Sequence, residues 1–394
     1  LEFGELGDWM LKELLIHVFL FLNRLVFGFF KLFQQKNKIV FLCDFGDNAR
    51  FVMRELQGRG FEEIYVLKSG KCKDNFADLG LATGHVLDFR VSHVGAYLKG
   101  LYHLATGRKI LVDNYFAVLS ATPFRDNVEC IQLWHAAGAI KKFALQDPSI
   151  AFRSPAAVKR FEKVYGRMTK AVVGSDEMEP IFEAAFGMRS EQFLRFGIPR
   201  TDFYFNQSEE ILVQNEIFRL YPQLTGKKVI LYAPTFRDQQ LNEQTIPLDF
   251  TGIMKSLGED FALVIKLHPA VAHSIGEISH PAIVSVANDV SISKLLFVTD
   301  YLISDYSSIP FEFALLGKPQ IFYPYDLEAY ELERGFWTDY EQLVPGPVVS
   351  NDDELVNILL NHVFEKAQIE AFSAVWNAYS DGHASEKLAE YLMK

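Results

Sequence analysis

Cysteine is scarce. The 394 residues contain three, Cys43, Cys72 and Cys130, and no Cys-x-x-Cys pair. A disulfide framework and the ligand spacing of a zinc module are thereby excluded, and a reducing compartment fits. Asp-x-Asp, the acidic pair that commonly holds a divalent metal against a diphosphate, occurs nowhere. Positive charge is in deficit: 39 basic against 50 acidic residues leave a net charge of −11. That balance argues against a nucleic-acid binder relying on broad phosphate neutralisation. Long uncharged runs are missing too. The one near the N-terminus, Leu14–Asn23, falls far below the ~20 residues of a spanning helix. No short-period repeat or low-complexity tract is present.

What the chain has is apolar residues, 49% of the total, and an excess of Phe, 35 in all. Its length is too great for one small core and predicts two domains of roughly 150–200 residues each. Short β-rich runs alternate with helical spacing: 38–46, 63–68, 85–89, 109–114, 130–135 and 171–176, then 227–236, 261–269, 282–287, 300–308 and 318–324. This pitch indicates parallel βαβ units in two α/β halves. The expected divisions are 1–37, 38–215, 216–350 and a helical 351–394, with a return to the first half as one reading of the last.

The first nine residues read as a remnant, with Met10 as a natural start. Residues 10–38 then hold Lys12, Arg24, Lys31, Lys36 and Lys38 against one acid, Glu13. Between them lies a Phe- and Leu-rich stretch with no small-residue cleavage site. The pattern predicts an amphipathic helix at a membrane surface, its cations at anionic headgroups. A core helix packing on the fold and a true span are the alternatives.

Ligands of open parallel sheets sit at the carboxyl ends of strands. The strand-end residues are His135, Pro234–Thr235, His268 and Asp305–Ser308. In "CIQLWHAAGAIKKF" (130–143) an apolar run stops at His135. Small residues and two lysines follow. One of Lys141 and Lys142 is expected on a solvated helix face, the other near an acceptor phosphate. In "LISDYSSIPFEFALLGKP" (302–319) Ser307 and Ser308 open a helix, Pro310 lies in its first turn and Gly317 ends it. Unpaired N–H groups and serine hydroxyls there suit an anion, and Glu312 suits a ribose hydroxyl. Simple capping is the bland reading. "IKLHP" adds Lys266 and His268, and "FGIPRTD" adds Arg200.

Taken in order, "LWHAAGAIKKF", "FGIPRTD", "ILYAPTFRD", "IKLHP", the long block 302–340 and "DGHASE" (381–386) resemble the CDP-glycerol glycerophosphotransferase family of teichoic-acid biosynthesis. The resemblance covers about residues 38–390. Many family members have a Gly and then a Pro after the Trp-His pair. The "WHAAGA" form looks more like the primase branch, which adds the first glycerol phosphate to a lipid-linked disaccharide. The resemblance implies a GT-B fold, two Rossmann-like domains facing a cleft, with the donor CDP-glycerol bound mainly by the C-terminal one. It implies catalytic roles for His135, in acceptor activation, and His268, at the donor phosphates. Ser307 and Ser308 match pyrophosphate-binding serines and Glu312 an acidic donor contact. Arg200, Pro234 and Thr235 match donor-side positions.

No cofactor and no metal are expected; cations and helix dipoles take the metal's place. The expected partners are CDP-glycerol, an undecaprenyl-diphosphate-linked disaccharide and an anionic membrane surface at the cytoplasmic face, and no nucleic acid. A short teichoic or capsule polyol-phosphate polymerase, a nucleotide-sugar 2-epimerase and a non-catalytic scaffold are the other readings.

Overall fold

The computed structural model describes residues 3–235, 237, 247–267, 280–286 and 290–394. Its chain divides into two compact units. The first comprises 1–135, 143–202 and 379–394, the second 136–142 and 203–378.

The first unit is built on seven strands: β1 (Ile39–Cys43), β2 (Ile64–Lys68), β3 (Val86–Asp88), β4 (Lys109–Val112), β5 (Glu129–Gln132), β6 (Lys170–Val172) and β7 (Phe193–Leu194). All pair in parallel, in the order β3-β2-β1-β4-β5-β6-β7. β1 and β4 are buried along their whole length, as strands covered on both faces must be, and this is why they read as continuous apolar runs. The second unit has five strands: β8 (Lys228–Tyr232), β9 (Phe261–Ile265), β10 (Ile283–Ser285), β11 (Tyr301–Ser304) and β12 (Gln320–Phe322). Their order, β10-β9-β8-β11-β12, is again wholly parallel. Both sheets therefore carry the doubly wound order 3-2-1-4-5, and each reverses direction between its first and fourth strands.

Helix α1 (Phe3–Phe30) precedes β1, α2 (Asp47–Gly58) follows it, and α3 (Val94–Thr106) leads into β4. One flank of α1 packs on α3 and on the 3-10 turn Ala117–Ala121. Phe27 is fully buried there, and the Tyr97 hydroxyl donates to Asn23 Oδ1 at 2.6 Å. Glu13 takes a hydrogen bond and an ion pair from Arg160 at 3.3 Å, which holds its carboxyl below the usual range. The other flank leaves Leu11, Leu14, Leu15, Val18, Leu22 and Leu25 more than two-fifths exposed. Leu11–Phe30 is long and apolar enough to cross a membrane, with a mean hydropathy of 1.7.

The charge pattern expected beside this helix needs correction. The Lys31 ammonium donates to the Pro123 carbonyl at 2.8 Å, and Lys38 is 1% exposed. Of the expected headgroup cations, Lys12, Arg24 and Lys36 are exposed.

The C-terminal helix Ala384–Met393 lies against α2. Its Leu388, Ala389 and Leu392 join the core of the first unit. Gly197 has φ +88°, and a Cβ there would meet the Tyr379 carbonyl oxygen at 2.4 Å. Only glycine lets the returning chain pass so close.

Candidate active site

In the first unit the reversal of strand order brings the loops after β1 and β4 together. Asp113 directly follows β4 and is 2% exposed. Its carboxylate accepts three successive main-chain N–H bonds, from Asp44 at 2.8 Å, Phe45 at 3.0 Å and Gly46 at 2.8 Å. Gly46 adopts φ +93° and caps α2. Burial pushes the Asp113 carboxyl up to about 6, although the three N–H bonds pull it down.

β5 stops at Gln132, three residues short of His135. The apolar run continues, but Trp134 turns to φ +59°, a conformation that costs a non-glycine residue about 1–2 kcal/mol. Packing holds it there. The Trp134 ring lies 4.4 Å from Phe143 and meets Phe182 and Phe186 edge-on. The main-chain N–H of Trp134 donates to Gln132 Oε1, and its main-chain carbonyl accepts from Asn48 Nδ2. The turn delivers His135 to the Asp113 carbonyl, 3.0 Å from Nδ1. A carbonyl oxygen only accepts, so Nδ1 carries the proton and Nε2 is the basic nitrogen. Phe45 stacks on the imidazole at 4.4 Å.

Arg200 belongs to this same unit. Its N–H donates to Asn48 Oδ1 at 2.9 Å, and its guanidinium lies 3.7 Å from Asp47. Asn48 thus ties the loop before His135 to the loop carrying Arg200.

The residues after His135 explain the small side chains. A Cβ on Gly138 would meet Phe311 Cδ1 at 2.2 Å, so only glycine allows the segment to lie flat on that ring. Ile140 and Lys142 then pair with Trp337 and Gly335 through main-chain hydrogen bonds. The two lysines are therefore on an extended segment, not on the helix face expected for one of them. The Lys141 ammonium sits 5.8 Å over the Tyr330 ring.

The second unit repeats the plan. Asp305 directly follows β11 and is buried. It accepts from the main-chain N–H of Thr235 at 2.7 Å, in the loop after β8, and from Arg237 Nη1 at 2.8 Å. Arg237, 5% exposed, also grips Asp326 with two hydrogen bonds, and lies over the rings of Tyr306, Tyr325 and Tyr330. Burial works against its charge, but the two carboxylates raise its pKa above the usual arginine range.

Pro234 and Thr235 are half-buried beside this brace. Ser307 and Ser308, also half-buried, precede the short helix Ile309–Phe313. Ser307 Oγ accepts the Ile309 N–H at 3.2 Å, and Ser308 makes no side-chain cap. Glu312 is 4% exposed and accepts from the Tyr204 hydroxyl at 3.1 Å. The predicted helix end at Gly317 is present, with φ +63°. His268 lies outside the described residues. Among the described residues, no three His, Cys, Asp or Glu side chains come together as a metal set.

Asp113, Asn48 and Phe45 escaped sequence reasoning. A signal existed: "ILVD" and "LISD" both set an aspartate directly after the fourth apolar strand of a half.

Two doubly wound parallel sheets with strand-end sites of this kind define a GT-B fold. The wall teichoic acid polymerase TagF shares it, with a TM-score of 0.75 over 97% of this chain and 96% of that one, at 21% identity. The family model for CDP-glycerol:poly(glycerophosphate) glycerophosphotransferases matches residues 25–394. The chain belongs to that family. It is similar to the teichoic acid glycerol-phosphate primase of Bacillus spizizenii, 37% identical over 90% of this chain and 92% of the relative. The teichoic acid glycerol-phosphate primase of Bacillus subtilis is 32% identical, over 97% and 98%.

Proposed function

We propose that the protein is a glycerophosphotransferase of the primase kind. It moves glycerol 3-phosphate from CDP-glycerol to a sugar hydroxyl of an undecaprenyl-diphosphate-linked disaccharide. The observation that carries this reading is His135, held with Nε2 as its basic nitrogen, in a chain that matches primases over nearly their full length. The acceptor oxygen attacks the phosphorus that bears glycerol. The pyrophosphate bond breaks, CMP leaves with the bridging oxygen, and the hydroxyl proton passes to His135 Nε2. Such a transfer needs positioning and charge stabilisation more than covalent chemistry, and an imidazole titrates in the useful range.

Ser307, Ser308, Thr235, Pro234 and Glu312 serve the donor in this reading, as do Arg200 and His268. Polymerase and epimerase activities are not favoured, because the similarity to primases covers both chains almost end to end.

We infer further that the enzyme works peripherally, at the cytoplasmic membrane face. The exposed leucines of α1 are set three and four residues apart, as an interfacial helix requires. Lys12, Arg24 and Lys36 each add about 1 kcal/mol of attraction to an anionic surface.

Product mass spectrometry with CDP-glycerol and a short-chain lipid disaccharide tests the reaction. One added glycerol phosphate per acceptor is expected, with CMP released; a ladder means a polymerase. His135→Ala is expected to bind CDP-glycerol and lose about 10²–10⁴-fold in rate. Near-normal turnover removes the histidine as base. Leu15→Glu/Leu22→Glu is expected to abolish sedimentation with anionic vesicles and to spare turnover of a water-soluble acceptor. Unchanged sedimentation ends the membrane reading.

A further inference from the structure

We propose that Asp113 is the positioning residue for His135, fixing both the tautomer and the plane of its imidazole. The inference rests on reading His135 as the base, and it names what makes that base competent.

Four hydrogen bonds converge on Asp113. The Asp113 carbonyl accepts from Nδ1, so the proton stays on Nδ1 and Nε2 keeps its lone pair. The Asp113 carboxylate meanwhile gathers the N–H groups of residues 44–46. That gathering sets the turn from which Phe45 stacks on the ring, 4.4 Å away and 28° from parallel. One side chain and its own carbonyl therefore govern the edge and the face of the same imidazole. Asn48, buried in α2, completes the arrangement by holding the Trp134 carbonyl one residue upstream.

The carboxylate cannot be replaced by an amide without loss. An amide presents one acceptor oxygen and an NH₂ group. The NH₂ would oppose one or more of three N–H donors that all need an acceptor, and a buried unsatisfied N–H is costly. The 44–46 turn must then move, and Phe45 with it.

The test compares folded Asp113→Asn with the wild type by nitrogen NMR of His135, assigned from the spectrum of His135→Gln. The wild type is expected in the Nδ1–H form; the variant keeps the carbonyl, but a ring released by Phe45 turns away from it and is expected as a mixture. The variant's kcat is expected to fall roughly 10²-fold, with KM for CDP-glycerol within about twofold, since no donor contact is touched. A role in stability alone would lower the melting temperature and leave tautomer and kcat unchanged, which overturns the proposal.

Should Asp113→Asn fail to fold, Phe45→Leu decides. Phe45 is 43% exposed, so the fold tolerates its loss, and a wild-type kcat there also overturns the proposal. The parent reading fails separately: an active His135→Ala sinks it, whereas an inactive His135→Ala beside a normal Asp113→Asn sinks only this inference.

Discussion

Both units set an aspartate directly after the fourth strand of a 3-2-1-4-5 sheet, and the two aspartates have come to opposite uses. Asp113 spends its oxygens on three main-chain N–H groups of the neighbouring loop. Asp305 gives one oxygen to the main-chain N–H groups of Thr235 and Tyr306 and the other to a guanidinium. The first arrangement leaves the carbonyl side of the strand end open to a histidine. The second locks a cation into a wall of tyrosines. The same topology thus yields one strand end that presents a histidine and one that forms a rigid platform. The difference lies in whether the loop after the first strand supplies backbone donors alone or adds an arginine.

The largest expected effect comes from breaking the platform. Arg237→Ala leaves Asp305 and Asp326 without their shared cation in a buried setting. Removing one partner of such a network costs about 3–5 kcal/mol, read as a lowered midpoint in urea unfolding. Arg237→Lys keeps the charge but loses the two-pronged grip on Asp326, so its loss is expected to be smaller. If alanine and wild type unfold alike, the brace contributes nothing and the contrast with Asp113 collapses.

The two strand ends were unequally legible in the sequence. Eleven of the strands stood out, from "KIVFLC" to "KPQIFYP", because parallel strands covered on both faces read as near-continuous apolar runs. β7, only Phe193–Leu194, is too short to show a period. "CIQLWH" predicted a strand running up to His135, and β5 ends at Gln132. The positive φ of Trp134 is imposed by Phe143, Phe182 and Phe186, and no local pattern announces it. Charges misled as well. Lys31 and Lys38 were read as headgroup cations, whereas one is held by a carbonyl and the other is buried. The histidine was legible by type and place; its support was not, because Asp113, Phe45 and Asn48 come from distant loops.

An intermediate effect is expected at Gly138. Its neighbour Phe311 is fixed from the far side by Trp376 and Phe372, at 4.8 and 5.2 Å between ring centroids. The ring cannot yield to a new Cβ. Gly138→Ala is expected to cost about 1–3 kcal/mol by overpacking. Adding Phe311→Leu should return part of that loss, measured as a double-mutant cycle. Plain additivity of the two changes breaks the account of why small residues follow His135.

The smallest effect sharpens the comparison through a buried cation of the first unit, Lys38. Arg237 has two carboxylates, but the Lys38 ammonium donates to His103 Nδ1 at 3.0 Å and rests over the rings of Tyr65 and Tyr102. Burial, with Lys36 nearby, lowers the Lys38 pKa to about 8, and burial with Lys38 beside it drops His103 to about 3. The imidazole is therefore neutral and accepts the ammonium proton. The sign of the pH effect follows. In the unfolded chain Lys38 titrates near its ordinary 10.4, so between about 8 and that value the unfolded state binds more protons, and stability rises with pH. The stability is present in full above the unfolded pKa and is lost as pH falls through about 8. Lys38→Met has no such titration. The difference in unfolding free energy between wild type and Lys38→Met is expected to move in the wild type's favour by about 1 kcal/mol from pH 8 to pH 9. The matching Arg237→Lys comparison should show no slope of that sign, because there two carboxylates stabilise the charge. A flat difference for Lys38→Met would mean that its ammonium is as well compensated as the arginine, and that the two units treat their buried cations alike.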